Sequence, residues 1–215
     1  MNRPAGRVER LTVTSQVLHA NLIGASPVRA VDVYLPPGGG AGCPLLVDLV
    51  GFTGGGLSHT RWKPFGENVP ARLDRLIASG TMPPVAVAFP DCFVRLGGNQ
   101  YIDSVAMGPW ERFLCDELVP AVEARYGCGG SGRRGVFGKS SGGYGAMVHA
   151  MRRADVWAAA ACHSGDLAFE WCYLPDLPKA LRVLEPLGGS VEALLAAIEG
   201  TDKPGEERLE ALMMC

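Results

Sequence analysis

Apolar residues fall in short runs along the chain, and the spacing within those runs alternates between two and three to four. Residues 8–15 and 28–35 read as strands, the second alternating Val31, Val33 and Leu35 against Ala30, Asp32 and Tyr34, and the two should pair across the intervening turn. Residues 45–50 form an almost continuous apolar run of the kind buried on both faces in a parallel sheet. Residues 67–79 then switch to a helical period, with Val69, Leu73, Leu76 and Ile77 on one face and Gly80 as the stop signal. A fourth strand at 85–89 closes on Pro90-Asp91, and 110–125 reads as a helix with Trp110, Phe113, Leu114, Leu118 and Val122 inward, re-starting at Pro120. A fifth strand ends near Lys139, a helix runs on to about Arg153, and a sixth strand covers 157–162. After Phe169 the stretches 178–187, 191–200 and 206–214 are helix-like, and no further strand pattern occurs. This alternation predicts one α/β domain over 1–215, with a sheet core over 1–169, a helical segment over 170–215, a mainly parallel sheet flanked by helices, and ligands at its C-terminal edge.

Composition narrows the partners. The 215 residues are 47% hydrophobic, enough for a single substantial core. With 20 basic and 22 acidic residues and no long run of either sign, neither nucleic acid nor an anionic membrane is expected as a partner. No apolar run reaches membrane-spanning length, and the N-terminal residues do not read as a secretory signal. The 7 cysteines are widely spaced with no C-x-x-C pair, so they are expected as small buried hydrophobes in a reducing cytoplasm.

The candidate chemistry centres on Gly138-Lys139-Ser140-Ser141-Gly142. A strand precedes it and a helix follows, and the glycines let the two backbones crowd together while Ser140 sits on a strained turn with its Oγ exposed. That is the arrangement of a nucleophile elbow. A phosphate loop, the rival for Gly138-Lys139-Ser140, requires glycine at position 133, which is Arg133. Two further stretches belong at the same sheet edge. Gly51-Phe52-Thr53-Gly54-Gly55-Gly56 follows the third strand and can aim backbone N–H groups into a shared space. Residues 92–104, with Asn99, Gln100 and Tyr101, are too long and polar for a simple connection and are expected to build the substrate pocket.

These stretches, with Pro90-Asp91-Cys92-Phe93 and His163-Ser164-Gly165-Asp166, resemble the α/β-hydrolases, in particular the esterase group that includes esterase D, feruloyl and enterochelin esterases and the mycolyltransferases. The resemblance implies a serine hydrolase for a small-molecule ester or thioester, with no cofactor and no metal. In it Ser140 is the nucleophile, and N–H groups near Phe52 or Thr53 and of Ser141 form the oxyanion hole. In that family the triad acid and histidine follow on later strands, whereas here the chain ends first. The expectation is therefore a nucleophile half without the C-terminal strands, leaving two readings: a serine esterase, and an inactive or binding-only relative.

A serine hydroxyl needs a general base. His149 is nine residues beyond Ser140 on its helix, roughly 13 Å along the axis, and is ruled out. His19 lies by the first turn, far from the elbow, and His59 follows the glycine loop, from which it could approach the site as a base, a loop hydrogen bond being its more common role. His163 ends the strand beside the elbow and is the candidate base, with Asp166 on the same edge as the candidate acid. Asp155 enters the sixth strand at the opposite edge, and Asp202 would require the late segment to fold back. An alanine-rich sixth strand at the sheet edge further predicts either association into a homo-oligomer or cover from the C-terminal helices.

Overall fold

The structure is a computed structural model that describes residues 5–199 and positions 205, 207, 208 and 211. Strands β1 (Arg7–Thr14) and β2 (Val28–Leu35) pair antiparallel along their whole length, from Arg7 opposite Leu35 to Thr14 opposite Val28. Strand β3 (Leu45–Leu49) leads through α1 (Leu57–Thr60) and α2 (Val69–Ala78) to β4 (Ala86–Pro90). A short ladder of β5 (Asp103–Ser104) with β6 (Gly108–Pro109) precedes α3 (Trp110–Arg112), a π-helical stretch over Phe113–Leu118, and α4 (Val119–Tyr126). Then come β7 (Arg134–Lys139), α5 (Ser141–Arg152), β8 (Ala159–His163) and the helices α6 (Phe169–Cys172), α7 (Leu177–Leu184) and α8 (Val191–Glu199). Asp202 and most of the helix expected over 206–214 lie outside the described residues.

The main sheet has six strands in the order β1-β2-β4-β3-β7-β8, with β4, β3, β7 and β8 mutually parallel and β2 antiparallel to β4. The period of two decides its faces. Val31, Val33, Leu45, Val47, Leu49, Ala86, Ala88 and Val136 face the larger core, with Trp110, Phe113, Leu114, Leu118 and Val122 packed against them. The alternate residues Tyr34, Val87 and Phe89 face Leu73 of α2. Each fully buried leucine contributes roughly 1.5–3 kcal/mol, so the strands were selected by burial on both sides. From β3 the chain steps one way to β4 and then back across to β7. Right-handed crossovers therefore put helices on opposite faces and open a crevice where the loops after β3, β4 and β7 diverge.

The re-start expected near Pro120 takes the form of a π-helical turn that hands over to α4, with Pro120 in its first turn. Proline has no N–H for the Asp116 carbonyl, and the preceding turn widens so that Val119 N–H bonds Leu114 O, five residues back. Among the described residues the late helices leave the edge strand open: Ala159, Ala160, Ala161 and His163 of β8 are exposed, while Ala180, Leu194 and Leu195 of α7 and α8 cluster with Leu96 of the loop after β4. No helix among the described residues is long and apolar enough to cross a membrane.

Candidate active site

The turn between β7 and α5 is set by three glycines. A Cβ on Gly138 or Gly142 would overlap the carbonyl of Leu49, so only glycine lets α5 start directly over β3. A Cβ on Gly143 would stand 3.0 Å from the His163 carbonyl and from the Cα of Gly165, so the turn after β8 can lie against the first turn of α5. Ser140 itself is held at φ 56°, ψ −125°, a conformation uncommon for a residue with a Cβ. Its N–H donates to the carbonyl of His163 at 3.1 Å. Ser164 and Tyr101 are the other non-glycine residues with positive φ among those described, and both lie on loops of this edge.

Ser140 Oγ is 3.2 and 3.4 Å from the two carboxylate oxygens of Asp166, and Ser141 Oγ is 3.3 Å from Oδ2. A third hydroxyl, that of Tyr173, donates to Oδ2 at 3.0 Å and accepts from Gln100 Nε2 at 3.2 Å. Burial, with Asp166 alongside, pushes the Tyr173 phenol up to about 12. The group lines a cleft of about 550 Å³, whose walls include Phe52, Leu96, Ile102, Met107 and Phe169. Of the described lining residues only Asp166 is charged. The cleft is thus a mostly apolar slot in which three hydroxyls gather on one carboxylate.

Of the residues singled out in the sequence, Ser140, Ser141, Asp166, Phe52, Asn99 and Gln100 line this cleft, and Thr53, Tyr101 and His163 do not. Phe52 is locked to the pocket loop, its carbonyl accepting from Gly98 N–H at 2.6 Å. As the first residue of α5, Ser141 has an N–H without an intrahelical acceptor. Thr53 is exposed. Tyr101 is buried, its hydroxyl donating to Val50 O at 2.7 Å, so it holds the two loops together instead of lining the cleft. Asn99 turns its amide inward to Cys92 O and Tyr101 N, at 2.7 and 2.6 Å.

His163 meets Ser140 through its main-chain carbonyl, and its exposed side chain makes no hydrogen bond to Ser140. Its position on β8 pairs with Lys139, and both residues are exposed; the strand end is on the expected edge, but His163 is not among the residues lining the cleft. His59 Nδ1 lies 2.5 Å from Asp48 Oδ2, tying α1 to the buried end of β3. His149 is wholly buried and His19 is exposed. Asp155 pairs with Arg153 at 3.1 Å. Sequence reading missed Tyr173 and Phe169; no motif marks either, and only the aromatic content of 169–173 set that stretch apart.

Residues 27–171 match the family model described as "Putative esterase". Among solved structures, the chain is similar to a ferulic acid esterase with 25% identity and a TM-score of 0.59, over 76% of this chain and 59% of that one. The feruloyl esterase module from Clostridium thermocellum, complexed with sinapinate, aligns at 19% identity and TM-score 0.58 over 93% of this chain and 64% of that one. The enterobactin esterase from Shigella flexneri aligns at 18% identity and TM-score 0.58, over 86% and 43%. The chain therefore spans less than two thirds of the length of these structures. No curated protein sequence matches it.

Proposed function

The chain belongs to the esterase family of α/β-hydrolases, and we propose that it cleaves small-molecule carboxylic esters or thioesters through an acyl-enzyme on Ser140, with Asp166 taking the hydroxyl proton directly. The observation that carries this reading is the Ser140 hydroxyl on a strained turn, 3.2 Å from the carboxylate. In the forward step Ser140 Oγ bonds to the substrate carbonyl carbon and its proton passes to Asp166. The N–H of Ser141, with an N–H of the Phe52–Thr53 stretch, stabilises the oxyanion. The tetrahedral species collapses by expelling the alcohol or thiol, which takes the proton from Asp166. Water, deprotonated by the same carboxylate, then releases the acid and restores Ser140.

No histidine takes part in this reading, so turnover is expected to be slow beside that of a serine–histidine–acid enzyme. The pocket's apolar walls favour an apolar acyl or alcohol group. The test is labelling with a fluorophosphonate probe and peptide mapping, alongside hydrolysis of p-nitrophenyl acetate. Labelling on Ser140, lost in Ser140→Ala together with turnover, is expected. An unlabelled wild-type chain, or labelling that survives Ser140→Ala, overturns the reading.

A further inference from the structure

The geometry points to Tyr173 as a positioning residue for this reaction: its hydroxyl, oriented by Gln100, fixes the Asp166 carboxylate against Ser140. The inference rests on the Ser140–Asp166 reading above and adds a residue outside the stretch that the family model matches.

The direction of the hydrogen bonds is forced by chemistry. An ionised carboxylate cannot donate and an amide nitrogen cannot accept, so the Tyr173 hydroxyl must give its proton to Asp166 Oδ2 and receive one from Gln100 Nε2. Of the contacts to Asp166, the one from Tyr173 at 3.0 Å is the shortest, against 3.2–3.4 Å from Ser140 and 3.3 Å from Ser141. No lysine, arginine or histidine pairs with this carboxylate among the described salt bridges. Among the described residues its side-chain partners are hydroxyls, and Tyr173 is the one among them that is neither the nucleophile nor its neighbour. Because its phenol is held up to about 12, it stays a donor throughout the working range.

The ring is anchored as firmly as the hydroxyl. Tyr173 packs edge-on against Phe169 at 5.2 Å, and Phe169 packs at 5.2 Å against Tyr144 of α5. Tyr144 N–H donates to the carbonyl of Ser140 at 2.9 Å. The path Ser140, Tyr144, Phe169, Tyr173, Asp166 thus closes on itself, and an error in the carboxylate's placement would have to move the first turn of α5. Positioning of this kind acts on the rate of the chemical step and leaves substrate binding largely alone.

The experiment measures kcat, KM and the pH dependence of kcat/KM for p-nitrophenyl acetate in the full chain, Tyr173→Phe, Gln100→Leu and Asp166→Asn. Each is also followed by the rate of fluorophosphonate labelling. Tyr173→Phe keeps the ring and removes one donor to the ionised carboxylate. The expected result is a fall in kcat of ~10-fold, an unchanged KM, and an acid limb displaced upward by about one pH unit. Gln100→Leu should move the same limb in the same direction by less, and it carries the test if Tyr173→Phe does not fold. An acid limb that stays in place in both variants overturns the inference, whether or not kcat falls, because a merely structural role would leave the titration of Asp166 alone. If Asp166→Asn retains the wild-type rate and acid limb, the Ser140–Asp166 reading itself has failed and the role of Tyr173 goes with it.

Discussion

His149 is the buried titratable group on which the pocket loop depends. Its Nε2–H donates to Tyr101 O at 2.7 Å and its Nδ1 accepts from the Trp157 indole at 3.1 Å, with the Cys115 thiol beside it at 3.5 Å. Both ring nitrogens are committed in the neutral form, and burial lowers the imidazole's affinity for a proton. The unfolded chain therefore binds this proton more readily, and stability is fully present above about pH 6.5 and is lost as pH falls below it. Urea midpoints for the wild type and His149→Gln should diverge in slope: the variant is less stable at pH 8 but loses less between about pH 7 and 5. Parallel pH profiles would remove His149 from this role. Ser140 was legible because its turn needs glycines at fixed offsets, and these are local in sequence. Tyr173 and the exposure of His163 were not, because the surroundings of a side chain at a strand end and the meeting of aromatics on separate elements are decided by tertiary packing.

Helix α4 is fastened to the elbow strand by a single carboxylate. Glu123 receives Arg134 Nε at 2.6 Å and Nη2 at 2.8 Å, together with Gly130 N–H at 2.7 Å, and both side chains are mostly buried. The Arg134 bonds hold the Glu123 carboxyl below its usual range. Its contribution is present above the unfolded value and fades as pH falls through the lower folded one. Glu123→Gln should cost about 1–2 kcal/mol at pH 7, and the gap from wild type should narrow by pH 3. A gap independent of pH would show that the charge is not what matters. The strands were legible because runs such as 45–49, apolar except for Asp48, are what burial on both faces demands. Elements of two to four residues, the β5–β6 ladder and α1, carried no periodic signal, since one turn or one ladder pair spans less than a period.

Among the described residues the sheet is closed on neither side. β8 is paired with β7 alone, and its alanines are exposed. The sequence marked this edge, but not where the late helices would go, since amphipathic patterns define which face is buried and not against what. Amide hydrogen exchange should find that N–H groups of 159–163 turned away from β7 exchange by local opening, far faster than the amides of β3 and β7. Uniform protection at the rate of global unfolding would mean the edge is covered in solution.

Leu96 stands on two sides at once: it lines the cleft, and it packs among Ala180, Leu184 and Leu194 of the late helices, where Arg95 also meets Glu199 at 2.9 Å. Thermodynamic reciprocity makes this a two-way linkage, so whatever factor the helical segment adds to the affinity of a cleft ligand, the ligand must return to the segment's own resistance to opening. Limited proteolysis within 177–199 should therefore slow when a non-hydrolysable ester analogue saturates the cleft. Leu194→Ala should weaken that analogue's binding while it loosens the helices. If clipping ignores the analogue and Leu194→Ala leaves its affinity untouched, the two halves share a side chain without sharing free energy.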